Sequence, residues 1–550
     1  MRSTSWLGSL LVVSACTGGI EAGAPDGTGG GGGVSFGGAQ DMGEFRAILD
    51  RGDLPAANTL DANGFFNEHF NESPPADCGQ TLCLTPGISV GRDWLVGEHQ
   101  ATLQIAVNTP IDPSTYVRKP MNLVVVVDHS GSMSQDQRLD KVKVGLHTLV
   151  DNLKPEDRIA MISFDDVVTI DAPFTADLDR TNLHAKINAL APRGGTNIHD
   201  GLRDGFDLLG EYPVNERQNR VIFMSDGQAT VGITSQSEIF DMAKSRIMRG
   251  IGLTTIGVGQ SFDVELMRGL AENGAGNYYF LEDGAAASEV FTEELDFFMS
   301  PLALDVKIEA AAGSGWTFGE VVGSRLWSAQ PKTGSMQIPA VFLASRTSQV
   351  PEEGRRGGGS MIFVHLEPTA DATTKIADLT LSFRLPGATE RTTQTITLDY
   401  AGDPLEAPAD PHLSGAEMAE RYGMYNVFLG IRLATKSGDL TCAAAALEAT
   451  QRNAIAWNER HADSDVAADL ALIDQYLANL RANGARETTA STLAGCPAAG
   501  EPYYPEYDET PPGFDEGHSH GMYCSSGKPT AGWLVMLGAV LVVVRRRRRR

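Results

Sequence analysis

The run Leu123-Val-Val-Val-Val127 constrains this chain more than any other stretch. A strand buried on one face alternates apolar with polar residues, whereas an unbroken β-branched run fits a strand covered on both faces, the usual setting of a parallel sheet. The residues that follow keep to that reading. A Ser/Gly turn leads into an amphipathic segment at 139–153, and strand-like runs at 158–164, 221–224 and 253–258 are each separated by a helix-length stretch. Repeated β-α units over 121–299 predict an α/β domain built on a doubly wound, Rossmann-like parallel sheet with helices on both faces. In such sheets ligands bind at the carboxyl ends of the strands, where the loops gather.

The flanks follow a different period. Gln100-Ala-Thr-Leu-Gln-Ile-Ala-Val107 alternates as a half-buried strand does, within an accessory segment at 44–120 that opens on short helical stretches around Phe45 and Phe65. After Pro301 the helical period disappears. The β-like runs 302–310, 335–343, 360–366, 376–385 and 393–400, broken by Gly, Pro and Asp turns, predict a β-sandwich over 300–402. Strand-like residues both precede and follow the α/β unit, so that unit is expected to be inserted in the sandwich; separate tandem domains are the alternative. Residues 414–484 turn helical again, through 416–435, 442–460 and 464–481.

Both ends carry export features. Arg2 precedes a short apolar run that closes on Val13-Ser14-Ala15-Cys16, which reads as a secretion signal. The ending resembles a bacterial lipobox, which implies that Cys16 is acylated and begins the mature chain; an ordinary signal peptide is the alternative. Residues 17–43, with Gly29 to Gly33, suit a flexible tether. At the other end a polar spacer at 497–530 leads to an apolar run at 531–544, which falls short of the ~20 residues that span a bilayer comfortably. Arginines 545–550 follow and would stop translocation. With Cys524 before it, this tail resembles the myxobacterial-type sorting signal, processed near its cysteine; a transmembrane tail anchor is the alternative. The protein is therefore expected to be exported to the cell envelope, at the outer membrane or cell surface, and attached to a membrane through lipid or through the C-terminal segment.

The four other cysteines, Cys78, Cys83, Cys442 and Cys496, suggest two disulfides in an exported chain. The pairings Cys78 with Cys83 and Cys442 with Cys496 are the simplest of three possibilities. A zinc site competes weakly, because no Cys-x-x-Cys pair or nearby histidine completes a tetrahedral set. The formal charge of −26 argues against nucleic acid or anionic lipid as main partner, since phosphate-binding surfaces need clustered Lys and Arg.

The chemistry-bearing residues are Asp128-His129-Ser130-Gly131-Ser132, Thr196 within Gly194-Gly195-Thr196-Asn197, and Asp226 within Met224-Ser225-Asp226-Gly227. Each lies after a predicted strand or in a loop of the α/β unit. Asp128, Ser130, Ser132, Thr196 and Asp226 together offer two carboxylates and three hydroxyls, hard oxygens of the kind a Mg²⁺-like ion accepts. This constellation resembles the metal-ion-dependent adhesion site of the von Willebrand factor A family, an Asp-x-Ser-x-Ser motif with a distant Thr and a distant Asp. Thr255-Ile-Gly-Val-Gly259 and Ala271-Glu-Asn-Gly-Ala-Gly-Asn-Tyr-Tyr279 extend the likeness. The flanks at 45–66 and 301–308 are similar to accessory segments of a bacterial cell-envelope subgroup.

The resemblance implies a non-enzymatic module. The five residues hold one Mg²⁺, Mn²⁺ or Ca²⁺, and an Asp or Glu carboxylate from a protein ligand takes its open position, in an adhesion or scaffold role. In this family the serines, and the threonine once ligand is bound, contact the ion directly, while the aspartates often act through water. Two alternatives remain: a factor that docks another envelope machine or enzyme through this domain, and an ion that merely staples the loops. His129 beside Ser130 is badly placed for proton transfer between neighbours. His518 and His520 fall in the polar spacer and read as solvated residues. No Gly-x-x-x-x-Gly-Lys-Ser/Thr and no His-Glu-x-x-His motif is present.

Overall fold

A computed structural model describes residues 32–36 and 42–496, apart from 71–75, 113–115, 211–216, 248–250, 260–262, 275, 282–290, 292–300, 325, 344–358 and 490. Cys16, Cys524 and the apolar run 531–544 lie outside the described residues.

The continuous apolar run forms the central strand Met121–Asp128, buried at every residue. Its side chains divide by parity. Leu123, Val125 and Val127 pack with Leu139, Val142 and Leu146 of helix Arg138–Asn152, whereas Val124 and Val126 pack with Leu202, Phe206 and Leu209 of helix Ile198–Gly210. Each such valine, withdrawn from water, contributes roughly 1.5–3 kcal/mol of burial. The sheet runs in the spatial order Tyr278–Leu281, Ile251–Val258, Gln218–Ser225, Met121–Asp128, Arg158–Phe164, Val168–Ala172. All neighbours are parallel except the last pair. Helices cover both faces, so the doubly wound α/β expectation holds.

Two further sheets make the sandwich. One is ordered Arg391–Asp399, Lys375–Arg384, Ala303–Ala312, Thr333–Leu343, Gly32–Phe36, Val107–Thr109, Cys83–Leu84, with Trp327–Gln330 also on Thr333–Leu343; the other is ordered Trp316–Val322, Ile362–Pro368, His99–Ile105, Gly87–Arg92, His412–Leu413. Their inner faces share a core that includes Val90, Leu103, Ile308, Ile338, Val364 and Leu381. His99–Ile105 precedes the α/β unit in the chain and Ile362–Pro368 follows it, yet the two pair antiparallel with Leu103 opposite Val364. The α/β unit is thus inserted in the sandwich.

The insertion is fastened where its strands begin. Arg118 donates from both terminal nitrogens to Asp157, at 2.8 and 2.6 Å, in a fully buried pair, and Asp157 also accepts from the backbone N–H of Met121. Asn152, at the end of its helix, donates from Nδ2 to the backbone oxygen of Phe291. Ala340 and Phe342 of the sandwich extend the core of the inserted sheet, and the Arg220 guanidinium lies 5.3 Å over the Phe342 ring.

Helices Met418–Lys436, Leu440–His461 and Ser464–Ala482 pack with helices Gly43–Asp50 and Ala62–Asn67 around Phe65, Phe66, Phe428, Trp457 and Tyr476. Disulfides join Cys78 to Cys83 and Cys442 to Cys496, which removes these cysteines from the zinc reading. The N-terminal segment also braces the inserted unit, since Arg268 reaches Asp61 at 2.6 Å and Ala47 enters the sheet core. Among the described residues no helix is long and apolar enough to cross a membrane.

Candidate metal centre

The central strand and its neighbour Gln218–Ser225 flank the point where strand order reverses, the place at which open α/β sheets bind ligands. Asp128 is the last residue of the first strand and Asp226 follows the second. Asp128 is thus a strand residue and fully buried, where sequence placed it just past the strand.

Hydrogen bonds knit the three loops into one site. Asp128 Oδ1 accepts from Ser130 N–H at 2.8 Å and Oδ2 from the Ser225 hydroxyl at 2.6 Å. Ser130 Oγ lies 3.0 Å from Ser132 Oγ, and Ser132 donates to Asp226 Oδ1 at 2.8 Å. Gly131 N–H donates to Gly194 O, and Arg193 N–H to His129 O, which ties the threonine loop to the first. Thr196 itself is held through its N–H by the Thr230 hydroxyl, at 2.9 Å. A Cβ on Gly227 would sit 3.7 Å from Thr196 Oγ1 and 3.9 Å from Ser132 Oγ, so both hydroxyls face this glycine. All five oxygen-bearing residues singled out from the sequence therefore meet at one sheet edge.

The donor set suits a hard cation. Octahedral Mg²⁺ at 2.0–2.1 Å from each oxygen separates adjacent ligands by about 2.9 Å. The hydroxyl–hydroxyl and hydroxyl–carboxylate spacings of 3.0 and 2.8 Å match that edge. Burial pushes Asp128 up to about 6, against the lowering influence of the Ser225 and Ser130 hydrogen bonds. A buried carboxylate held this way gains from a nearby cation.

Three contributors escaped the sequence reading. Ser225 and Thr230 position ligands from beside or across the motif. Arg138 is the third: its Nη1 donates to Asp226 Oδ2 at 2.6 Å, with the two side chains 5% and 0% exposed. Arg138 opens its helix, an unfavourable place for a cation beside the positive end of the macrodipole, and that mismatch was the available signal. The backbone that delivers it is unusual, because Asp136 and Gln137 are both left-handed with φ of 48° and 57°. Room for the guanidinium comes from Gly259, φ +78°, where a Cβ would fall 2.5 Å from Arg138 Nε. His129 engages Ala191 O through Nδ1 at 2.9 Å, and Ser130 Oγ faces Ser132, so no Ser-His nucleophile is assembled. His518 and His520 lie outside the described residues.

Residues 122–293 match the family model of the von Willebrand factor type A domain. Uncharacterized protein YfbK of Escherichia coli (strain K12) is 30% identical over 196 residues, 36% of this chain and 34% of that protein. Inter-alpha-trypsin inhibitor heavy chain H1 of Sus scrofa is 28% identical over 258 residues, 44% of this chain and 28% of that one. The chain thus spans about a third or less of the length of these relatives. A solved structure described as von Willebrand factor type A from Catenulispora acidiphila is 15% identical at a TM-score of 0.46, covering 70% of this chain and 89% of its own. The inserted unit has the von Willebrand factor type A fold, carried with additional β-sheets and C-terminal helices.

Proposed function

We propose that the inserted unit is a cation-dependent protein-binding module in an adhesion or scaffold role. Asp128, Ser130, Ser132, Thr196 and Asp226 hold one Mg²⁺, Mn²⁺ or Ca²⁺, and a partner's Asp or Glu carboxylate takes the remaining position. The observation that carries this reading is the charge balance of the site. Two buried carboxylates face three neutral hydroxyls, and Arg138 already neutralises half of that negative charge through Asp226. A dication bound there supplies Lewis-acid attraction for one more carboxylate. Ser225 and Arg138 hold the two aspartates in place through hydrogen bonds of 2.6 Å each. We further propose that Cys16 is acylated, that residues 17–31 act as tether, shorter than the 17–43 expected from sequence because Gly32–Phe36 pairs as a strand of the sandwich, and that Cys524 belongs to a processed sorting tail; on this reading the module sits on the cell envelope.

Calorimetric titration of Mg²⁺ and Mn²⁺ should show one site, lost in Asp128→Ala. An immobilised glutamate-rich peptide should then retain the protein in Mg²⁺ but not in chelator, and its glutamine counterpart should retain neither. Thr196→Ala should weaken peptide retention more than ion affinity. Retention that survives chelation unchanged refutes the mechanism.

A further inference from the structure

A second group of acidic side chains, sharing no residue with the sheet-edge site, gathers where the helical segment meets the N-terminal one. Asp463 and Asp465 open the helix Ser464–Ala482; Asp463 Oδ1 accepts from the N–H groups of Asp465 and Val466 at 2.8 and 3.2 Å. Asp465 is fully buried and its Oδ2 accepts from Phe70 N–H at 2.8 Å. Glu420 comes from the first turn of helix Met418–Lys436. One carboxylate oxygen from each of the three lies within 4.8 Å of the other two.

Helix-terminal aspartates often need nothing more than backbone N–H groups. Glu420 has no such support. The residue is only partly exposed, and its Oε1 has neither solvent nor a hydrogen-bond partner. His69 and Arg421 are the basic side chains near enough to act on its charge. Both are already committed: His69 Nε2 pairs with Asp469 Oδ2 at 2.8 Å, and Arg421 Nη1 donates to Gln104 Oε1 at 3.0 Å. A carboxylate oxygen shut off from water without a partner, on a side chain that brings an oxygen within 4.8 Å of two other carboxylates, marks a place that a cation completes.

We propose that Glu420, Asp463 and Asp465 bind a divalent cation of the Ca²⁺ class. Oxygens bound to Ca²⁺ at 2.3–2.6 Å lie on a sphere about 4.6–5.2 Å across, which accommodates the observed spread, and Ca²⁺ accepts several carboxylates in irregular geometry. Mg²⁺ fits less well, because it keeps several waters and takes one or two carboxylates. The ion is a staple in this setting. Asp465 holds Phe70 and Asp469 holds His69, so occupancy clamps the end of the N-terminal segment to the helices.

The test uses the full chain carrying Asp128→Ala, so that the sheet-edge site does not contribute. Calorimetry with Ca²⁺ alone, after chelator treatment, should find one site, and Ca²⁺ should raise the thermal midpoint. Adding Glu420→Gln or, separately, Asp463→Asn should weaken Ca²⁺ at least tenfold and abolish the thermal shift, with helical circular dichroism retained as the check on folding. No Ca²⁺ binding up to millimolar concentration in the Asp128→Ala chain overturns the proposal, as does unchanged binding in both added variants. Failure here leaves the sheet-edge reading standing, since no residue is shared.

Discussion

Replacing Arg138 with Met removes the cation that faces Asp226 while keeping the side chain's bulk. The pair is buried on both sides, at 5% and 0% exposure and 2.6 Å. Breaking such a pair from one side leaves an uncompensated charge and costs about 3–5 kcal/mol. In chelator, denaturant unfolding of Arg138→Met should therefore register a loss of that order. Ion affinity should move the other way. Taking a separation of about 7 Å and an effective dielectric near 20, a unit charge repels a dication by about 5 kcal/mol, an upper bound before relaxation and solvent screening. A gain of tenfold or more in Mg²⁺ affinity, about 1.4 kcal/mol, is the conservative expectation. Mg²⁺ calorimetry on the folded variant reads it, and saturating Mg²⁺ should restore much of the lost stability by linkage. Unchanged or weaker Mg²⁺ binding in a folded Arg138→Met protein would show that Arg138 orients Asp226 rather than competing with the ion.

Other consequences are open to measurement. The disulfides close spans of 54 and 5 residues, for which chain entropy gives about 4 and about 2 kcal/mol; Cys442→Ala/Cys496→Ala should lose about twice what Cys78→Ala/Cys83→Ala loses on denaturation, and equal losses contradict the entropic account. Burial pushes Glu44 up to about 7 against the opposing charges of Arg268 and Arg51, so between pH 4.5 and 7 the folded state holds a proton that the unfolded chain releases. Stability should fall as pH rises through that window, and Glu44→Gln should gain about 1–2 kcal/mol at about pH 8 and nothing near pH 4, after allowance for partial exposure; equal effects at both pH values would exclude ionisation as the cause. Gly259→Ala should cost about 2–3 kcal/mol through its positive φ and the clash with Arg138. Part of that loss should be recovered in the double variant with Arg138→Met, and strict additivity in a double-mutant cycle argues against the clash.

The parts of the fold that sequence revealed are those where burial is two-sided or strictly periodic. Leu123 to Val127 could be read because every residue is inside, and helix Arg138–Asn152 because Leu139, Val142 and Leu146 repeat at helical spacing. The edge strand Val168–Ala172 escaped because it is largely exposed and slips register against its neighbour between Met161 and Ile162. Trp316–Val322 carries a similar irregularity between Phe318 and Val321, which breaks the alternation that marks a strand. At the site, Asp128, Ser130 and Ser132 share a local spacing and so advertise themselves. Arg138 and Asp226 meet across 88 residues, and Glu420 reaches Asp463 and Asp465 from another helix. Such pairings exist only once the chain has folded, and their sequence trace is at most a residue whose local position looks unfavourable.

The placement of the fastenings decides how this molecule bears mechanical load. A ligand held at Asp128 and Asp226 pulls at the finishing ends of the strands. The entering covalent connection at Met121 and the buried Arg118–Asp157 clamp lie at the starting ends. Tension therefore travels lengthwise along Met121–Asp128 and Gln218–Ser225, whose seven paired positions resist together in shear instead of opening one after another. A pull through that edge of the sheet loads the inserted unit along its stiffest direction.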